Sequence, residues 1–102
     1  EVSPVTPFDT HHLLWASPKL VYLDSLAVDG DGNVCVATIA PAGGVTMISP
    51  EGKVVRFVES GDVMTTNICF GGPGLKTAYI TRSGVGDVVV TQWASPGLKL
   101  HR

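Results

Sequence analysis

One segment of this 102-residue chain occurs nearly twice. Residues 23–38 are echoed by residues 65–81, and Leu26 aligns with Ile68 at an offset of 42 residues. The second copy has a turn that is two residues longer and recovers the register in the next loop. A structural unit of about 40 residues cannot bury its apolar face alone and must stack against a neighbouring unit. The repeat therefore restricts the chain to stacked, self-similar units.

Short strands dominate the pattern within each copy. Apolar runs of three to six residues are cut by Gly, Pro, Asp and Asn, and helical periodicity is nearly absent. Residues 29–32 and 49–52 each carry Gly or Pro at turn positions and predict two hairpins. Residues 71–74 also predict a turn, since no helix follows them. The sequence therefore predicts an all-β fold of β-propeller blades, about two four-stranded antiparallel blades plus a remnant of a third.

The predicted domain boundaries follow the repeat. Residues 23–60 form one blade, residues 61–102 form the next, and residues 1–22 are a remnant of a preceding blade or a linker. Within this first segment, residues 13–15 and 20–22 are candidates for outer strands. Residues 98–100 are the candidate for the last strand of the second blade.

Charge and cysteine content exclude several classes of function. The formal net charge is −2 and the seven basic residues are scattered, so the sequence predicts no nucleic-acid partner. No apolar run approaches the roughly 18 residues of a spanning helix, and the N-terminus does not resemble a signal peptide. Cys35 and Cys69 both lie in apolar strand-like runs, which favours buried free thiols and a reducing, cytoplasmic setting.

Two blades do not close a propeller, which typically has four to eight. Open blade faces and strand edges promote association with other chains. We therefore expect that the chain is a piece of a longer protein, that copies of it assemble into a homo-oligomer, or that a complementing N-terminal chain supplies the other blades.

Four stretches of the sequence carry a family resemblance. They are residues 23–38, 43–52, 65–73 and 77–81, and their most specific parts are Asp24 at a strand start and the run Thr65-Thr66-Asn67-Ile68-Cys69-Phe70-Gly71-Gly72. The chain resembles the C-terminal portion of the gluconolactonase / senescence-marker-protein (regucalcin-like) family. This resemblance implies a six-bladed propeller that hydrolyses sugar lactones with a divalent metal, often calcium, in its central channel.

The resemblance also implies roles for individual residues. Asp24 matches an aspartate that begins an inner strand and binds the metal, so it is the candidate metal ligand and catalytic residue. Ser25 follows it where many members have glycine, and the family's Glu and Asn ligands lie in blades that this chain lacks. Thr66 and Asn67 occupy the equivalent strand start in the second copy and are candidates for substrate binding. The implied cofactor is calcium, with zinc as an alternative, and the implied partner is a small-molecule lactone.

Simpler interpretations exist for each candidate. Thr66 and Asn67 are equally consistent with hydrogen bonding at the strand end. Asp24 is also consistent with a strand-entry residue that caps backbone amides or faces water. The residues from Asp29 to Asn33 resemble the first positions of an EF-hand calcium loop. Val34 and Ala40, however, occupy the positions where an EF-hand needs Gly and Glu, so a hairpin turn is favoured. For the whole chain the alternatives are a metal-dependent hydrolase and a non-enzymatic propeller module that self-associates or pairs with another chain.

Overall fold

The chain folds into two antiparallel sheets, as the all-β prediction requires. A computed structural model describes residues 13–97. The first sheet contains β1 (Leu23–Val28), β2 (Val34–Thr38), β3 (Gly44–Ile48) and β4 (Val54–Glu59), and the second contains β5 (Thr65–Gly71), β6 (Thr77–Arg82) and β7 (Asp87–Gln92). In both sheets sequential strands are neighbours. Among the described residues, no helix is long and apolar enough to cross a membrane.

Each of the predicted turns is present. The β1–β2 and β3–β4 hairpins close around residues 29–33 and 49–53, with Gly32 and Gly52 at positive φ. A short 3-10 turn, Pro73–Leu75, connects β5 to β6. In the two hairpins, Gly32 and Gly52 adopt the left-handed backbone that glycine reaches at little cost.

The segment before β1 differs from the prediction of outer strands. Residues 13–22 contain no strand. Trp15, Pro18 and Val21 instead lie over the outer face of the first sheet and line an apolar cavity of about 280 Å³ together with Val54 and Phe57. The predicted strand at residues 98–100 lies outside the described residues. The predicted domain boundaries stay predictions.

A single apolar core lies between the two sheets. Alternation along each strand sends one set of side chains inward. The core consists of Cys35, Val45 and Met47 from the first sheet, Ile68, Ala78 and Ile80 from the second, and Trp93 after β7. The Trp93 ring contacts Phe70, with ring centroids 6.0 Å apart. The strands that meet across this core are mainly β1 and β2 on one side and β5 on the other.

The β1–β2 turn is also the attachment point for the C-terminal part of the described chain. Asp29 is fully buried, and its carboxylate accepts hydrogen bonds from the backbone N–H groups of Asp31 and Asn33, each 3.0 Å long. Gly97 forms a β-bridge with Asp29, and the Gly30 N–H donates to the Pro96 carbonyl. The Asp29 carboxylate thus orders its own turn, which supports the hairpin interpretation over the calcium loop.

The two cysteines differ in their environments. Both are free thiols, but Cys35 is buried whereas Cys69 is exposed, so the expectation of two buried thiols was wrong. Ile68 points into the core, and its neighbour Cys69 therefore points to the opposite face of the second sheet. Burial, assisted by the negative charge of Asp29, raises the pKa of the Cys35 thiol to about 12, while the Trp93 indole opposes the shift.

This difference predicts selective thiol chemistry. At pH 8 under native conditions a small maleimide should label Cys69 within minutes and leave Cys35 unmodified, because the thiolate is the nucleophile and Cys35 holds its proton. Intact mass at successive times measures the stoichiometry, and labelling in denaturant provides the control with two modified thiols. Equal native labelling of the two cysteines would contradict this packing.

Candidate functional site

The inner strands β1 and β5 begin with the same irregularity. Between Leu23 and Leu26, β1 carries one residue more than the facing part of β2, and between Thr65 and Asn67, β5 carries one more than β6. Each is a β-bulge, a feature that redirects side chains and is frequent at barrel rims and beside active sites. We call these two bulged strand starts, residues 23–26 and 65–67, the rim.

Both parts of the rim lie at the same end of the stacked sheets. The Ser60 N–H donates a 3.2 Å hydrogen bond to the Gly43 carbonyl, which joins the loop after β2 to the loop before β5. The last residue of β2, Thr38, is paired with Leu23 at the start of β1. Because the two loops are in contact, the starts of β1 and β5 are on the same side of the molecule.

Asp24 lies inside the first bulge. Its side chain is exposed, and its Oδ1 is 3.4 Å from the Ser25 hydroxyl, which is the donor. Within residues 13–97 the Asp24 carboxylate accepts no hydrogen bond from a backbone amide, in contrast to Asp29 and Asp62. Strand-entry capping therefore does not explain this aspartate, and its oxygens face solvent.

The second bulge carries a cluster of hydroxyl groups. Thr66 Oγ1 is 2.9 Å from both Thr81 Oγ1 and Ser83 Oγ. Asn67 is exposed, and its Oδ1 accepts a 2.8 Å hydrogen bond from the Ile68 N–H, which leaves the side-chain amide N–H groups directed to solvent. The structure thus adds Thr81 and Ser83 to the predicted pair. Sequence reasoning missed them because only the register of β6 against β5 brings them beside Thr66.

A second network fixes the loop that leads into β5. The Asp62 carboxylate accepts 2.9 Å hydrogen bonds from the Met64 and Val85 N–H groups, and Arg82 donates to the Ser60 carbonyl at 2.8 Å. The Met64 hydrogen bond first, then Val85 and the nearby Arg82 charge, hold the pKa of Asp62 below its usual range. The stabilisation from this carboxylate is therefore present above its ordinary pKa and is lost as the pH falls.

A metal-binding role for the rim is limited by the number of donors. Asp24 offers a carboxylate, the hard oxygen ligand that Ca²⁺ prefers, but Ca²⁺ takes six to eight oxygens. Across residues 13–97, no three His, Cys, Asp or Glu side chains come together in one group. Asp24 therefore does not form a complete metal site with the other described residues.

Comparison with known families agrees with this geometry. Residues 4–84 match the family described as SMP-30/Gluconolactonase/LRE-like region, which is most of the chain. The chain belongs to this family. The predicted resemblance is therefore confirmed, and the match begins before residue 23, where the first of the resembling stretches begins.

Membership of the gluconolactonase-like family identifies the two sheets. The family has a propeller fold, so the stacked four-stranded and three-stranded sheets are neighbouring blades. In a propeller the first strand of each blade lines the central channel. The rim, formed by the starts of β1 and β5, is consequently at one mouth of that channel.

Proposed function

We propose that this chain contributes to a metal-dependent hydrolase of sugar lactones or related esters. The observation that carries the proposal is the position of Asp24, an exposed and uncapped carboxylate in a bulge at the start of an inner strand. Family membership supports it, because Asp24 resembles the metal-binding aspartate that begins an inner strand in this family. The remaining ligands would come from blades outside this chain, supplied by other copies or by a complementing N-terminal chain.

Asp24 would hold the cation through its carboxylate, to which the Ser25 hydroxyl donates at 3.4 Å. A bound divalent cation, calcium in preference to zinc, would acidify a water molecule and polarise the ester carbonyl. Thr66 and Asn67 would bind the substrate's hydroxyl groups, because the Thr66 hydroxyl and the Asn67 amide are at the same mouth of the channel. Asp24 would also accept a proton from the attacking water.

The direct test of this proposal is hydrolysis of a five- or six-membered sugar lactone in the presence of calcium. We expect weak turnover at most for the wild type, because the other ligands lie outside this chain, and loss of any turnover in Asp24→Asn, which keeps the side-chain shape but removes the charge. Asp31→Asn provides the matched control, since Asp31 is exposed in the β1–β2 turn at the opposite end of β1. Equal rates in wild type and Asp24→Asn would overturn the proposal.

A second function is favoured by a different observation. The second sheet exposes an apolar outer face, with Val88 56% and Val90 60% accessible. We propose as the alternative that the chain is a non-enzymatic propeller module that self-associates or pairs with another chain to cover this face. Its two free thiols support a reducing, cytoplasmic location in either case. Self-association without lactone hydrolysis would favour the module over the enzyme.

A further inference from the structure

The cavity beneath residues 15–21 takes no part in the proposed function. It has a volume of about 280 Å³ and lies between this segment and the outer face of the first sheet. Apolar side chains form most of its wall, among them Trp15, Pro18, Val21, Pro41, Val54 and Phe57. A wholly apolar cavity of about 150 Å³ is large enough to bind benzene. The cavity in this chain therefore has room for an aromatic molecule of one or two rings.

Two buried hydroxyl groups lie at the sheet side of this cavity. Thr38 and Thr46 both line it, and each is more than nine-tenths buried. The neighbours of Thr46 on β3 point into the core, so Thr46 points to the opposite face, where the cavity lies. The other polar residues of the wall, Ser17 and Lys19, are more exposed. The threonine pair is therefore the polar group that a ligand inside the cavity would contact.

The hydrogen bonds of this pair leave acceptor capacity on Thr46. The Thr38 hydroxyl donates to the Val36 carbonyl at 3.1 Å. Because a hydroxyl has a single proton, Thr46 is the donor in the 2.7 Å contact between the two Oγ1 atoms. The Thr46 oxygen keeps two lone pairs, and within residues 13–97 it accepts no other hydrogen bond. An apolar wall with one buried acceptor suits an apolar ligand that carries one hydrogen-bond donor.

We propose that this cavity binds a small neutral aromatic molecule with one O–H or N–H donor, of the phenol or indole type. The ring packs among the apolar side chains, and its donor binds Thr46 Oγ1. A sugar does not suit the cavity, since most of its hydroxyl groups would be buried without a partner, and an ion would lose its hydration there. The site is separate from the rim and does not depend on lactone hydrolysis. Val21 lies three residues before Asp24, so an occupant would contact the segment that leads into the rim.

Calorimetric titration with para-ethylphenol and with ethylbenzene tests the site. The two probes share the ring and the ethyl group, and para-ethylphenol alone carries a donor. Thr46→Val keeps the side-chain shape and removes the acceptor, whereas Thr46→Ser keeps the hydroxyl. Val54→Phe fills the cavity from a position that is 48% exposed, and Val55→Phe is its control, because Val55 is 55% exposed and does not line the cavity. Circular dichroism of each variant checks its fold.

We expect wild type and Val55→Phe to bind both probes, and Val54→Phe to lose affinity for both. Thr46→Val should weaken binding of para-ethylphenol by about two- to tenfold, the net effect of one hydrogen bond, and leave the affinity for ethylbenzene unchanged. Thr46→Ser should retain the wild-type difference between the two probes. Failure of para-ethylphenol to bind the wild type, or equal affinities in wild type and Val54→Phe, would overturn the site. An unchanged affinity for para-ethylphenol in Thr46→Val would overturn the role of the Thr46 hydroxyl.

Discussion

Replacing Ile68 by alanine should lower the free energy of unfolding by about 2–5 kcal/mol. Ile68 is 1% exposed and lies on β5 where the two blades meet, so its removal opens a cavity in the core. Denaturant unfolding followed by tryptophan fluorescence measures the change, since Trp93 belongs to the same core. A shift in the midpoint at constant slope would identify the effect as a loss of stability.

The internal repeat supplies a matched control for this substitution. Leu26 occupies the equivalent position in the first copy but is 56% exposed. In the single-chain state Leu26→Ala should change the free energy of unfolding by no more than about 0.5 kcal/mol. Equal losses of unfolding free energy in the two variants would show that Leu26 is also buried, which contradicts its exposure on the first sheet.

Replacing Asp29 by alanine should lower the free energy of unfolding by about 1–3 kcal/mol. The fully buried carboxylate accepts two backbone hydrogen bonds in its own turn and a third, of 3.1 Å, from the Asn33 side-chain amide. Losing it leaves three partly buried donors without a partner and loosens the turn to which Gly97 is attached. Chemical denaturation and hydrogen exchange of the Asn33 amide measure the two consequences.

Asp31→Ala is the control for the Asp29 substitution because it removes a carboxylate from the same turn. Asp31 is exposed and accepts one side-chain hydrogen bond, from Ser95 at 2.6 Å. Its loss should cost less than about 1 kcal/mol. A larger effect at Asp31 than at Asp29 would contradict the assignment of Asp29 as the residue that orders the turn.

The strands and turns were predictable because the signals for them are local. Alternating apolar runs mark β1 to β7, and Gly32 and Gly52 stand at the turn positions where the structure has positive φ. A local signal does not tell which face of a strand is covered. The prediction for Cys69 was wrong for this reason: its strand is apolar, but the burial of its side chain depends on a neighbouring blade.

The candidate site was predictable only in part. The repeat placed Asp24 and Thr66 at equivalent strand starts, and the structure shows a one-residue bulge at each. The contacts of Thr66 with Thr81 and Ser83 depend on strand pairing between residues 15 and 17 positions apart. Composition and spacing do not reveal such pairing. A complete metal site was not predictable from the sequence, since the six to eight oxygens that Ca²⁺ takes need several elements to converge.

We propose above that Asp24 is a metal ligand at the mouth of the channel. Its most direct test is the thermal midpoint of wild type, Asp24→Ala and Asp31→Ala, each measured with calcium and with a chelator. Calcium at ten times its dissociation constant should stabilise the wild type by about 1.4 kcal/mol, which raises the midpoint by several degrees. If Asp24 binds calcium, the thermal midpoint should rise equally in Asp31→Ala and should not rise in Asp24→Ala. An equal rise in all three proteins, or no rise in the wild type, would contradict it.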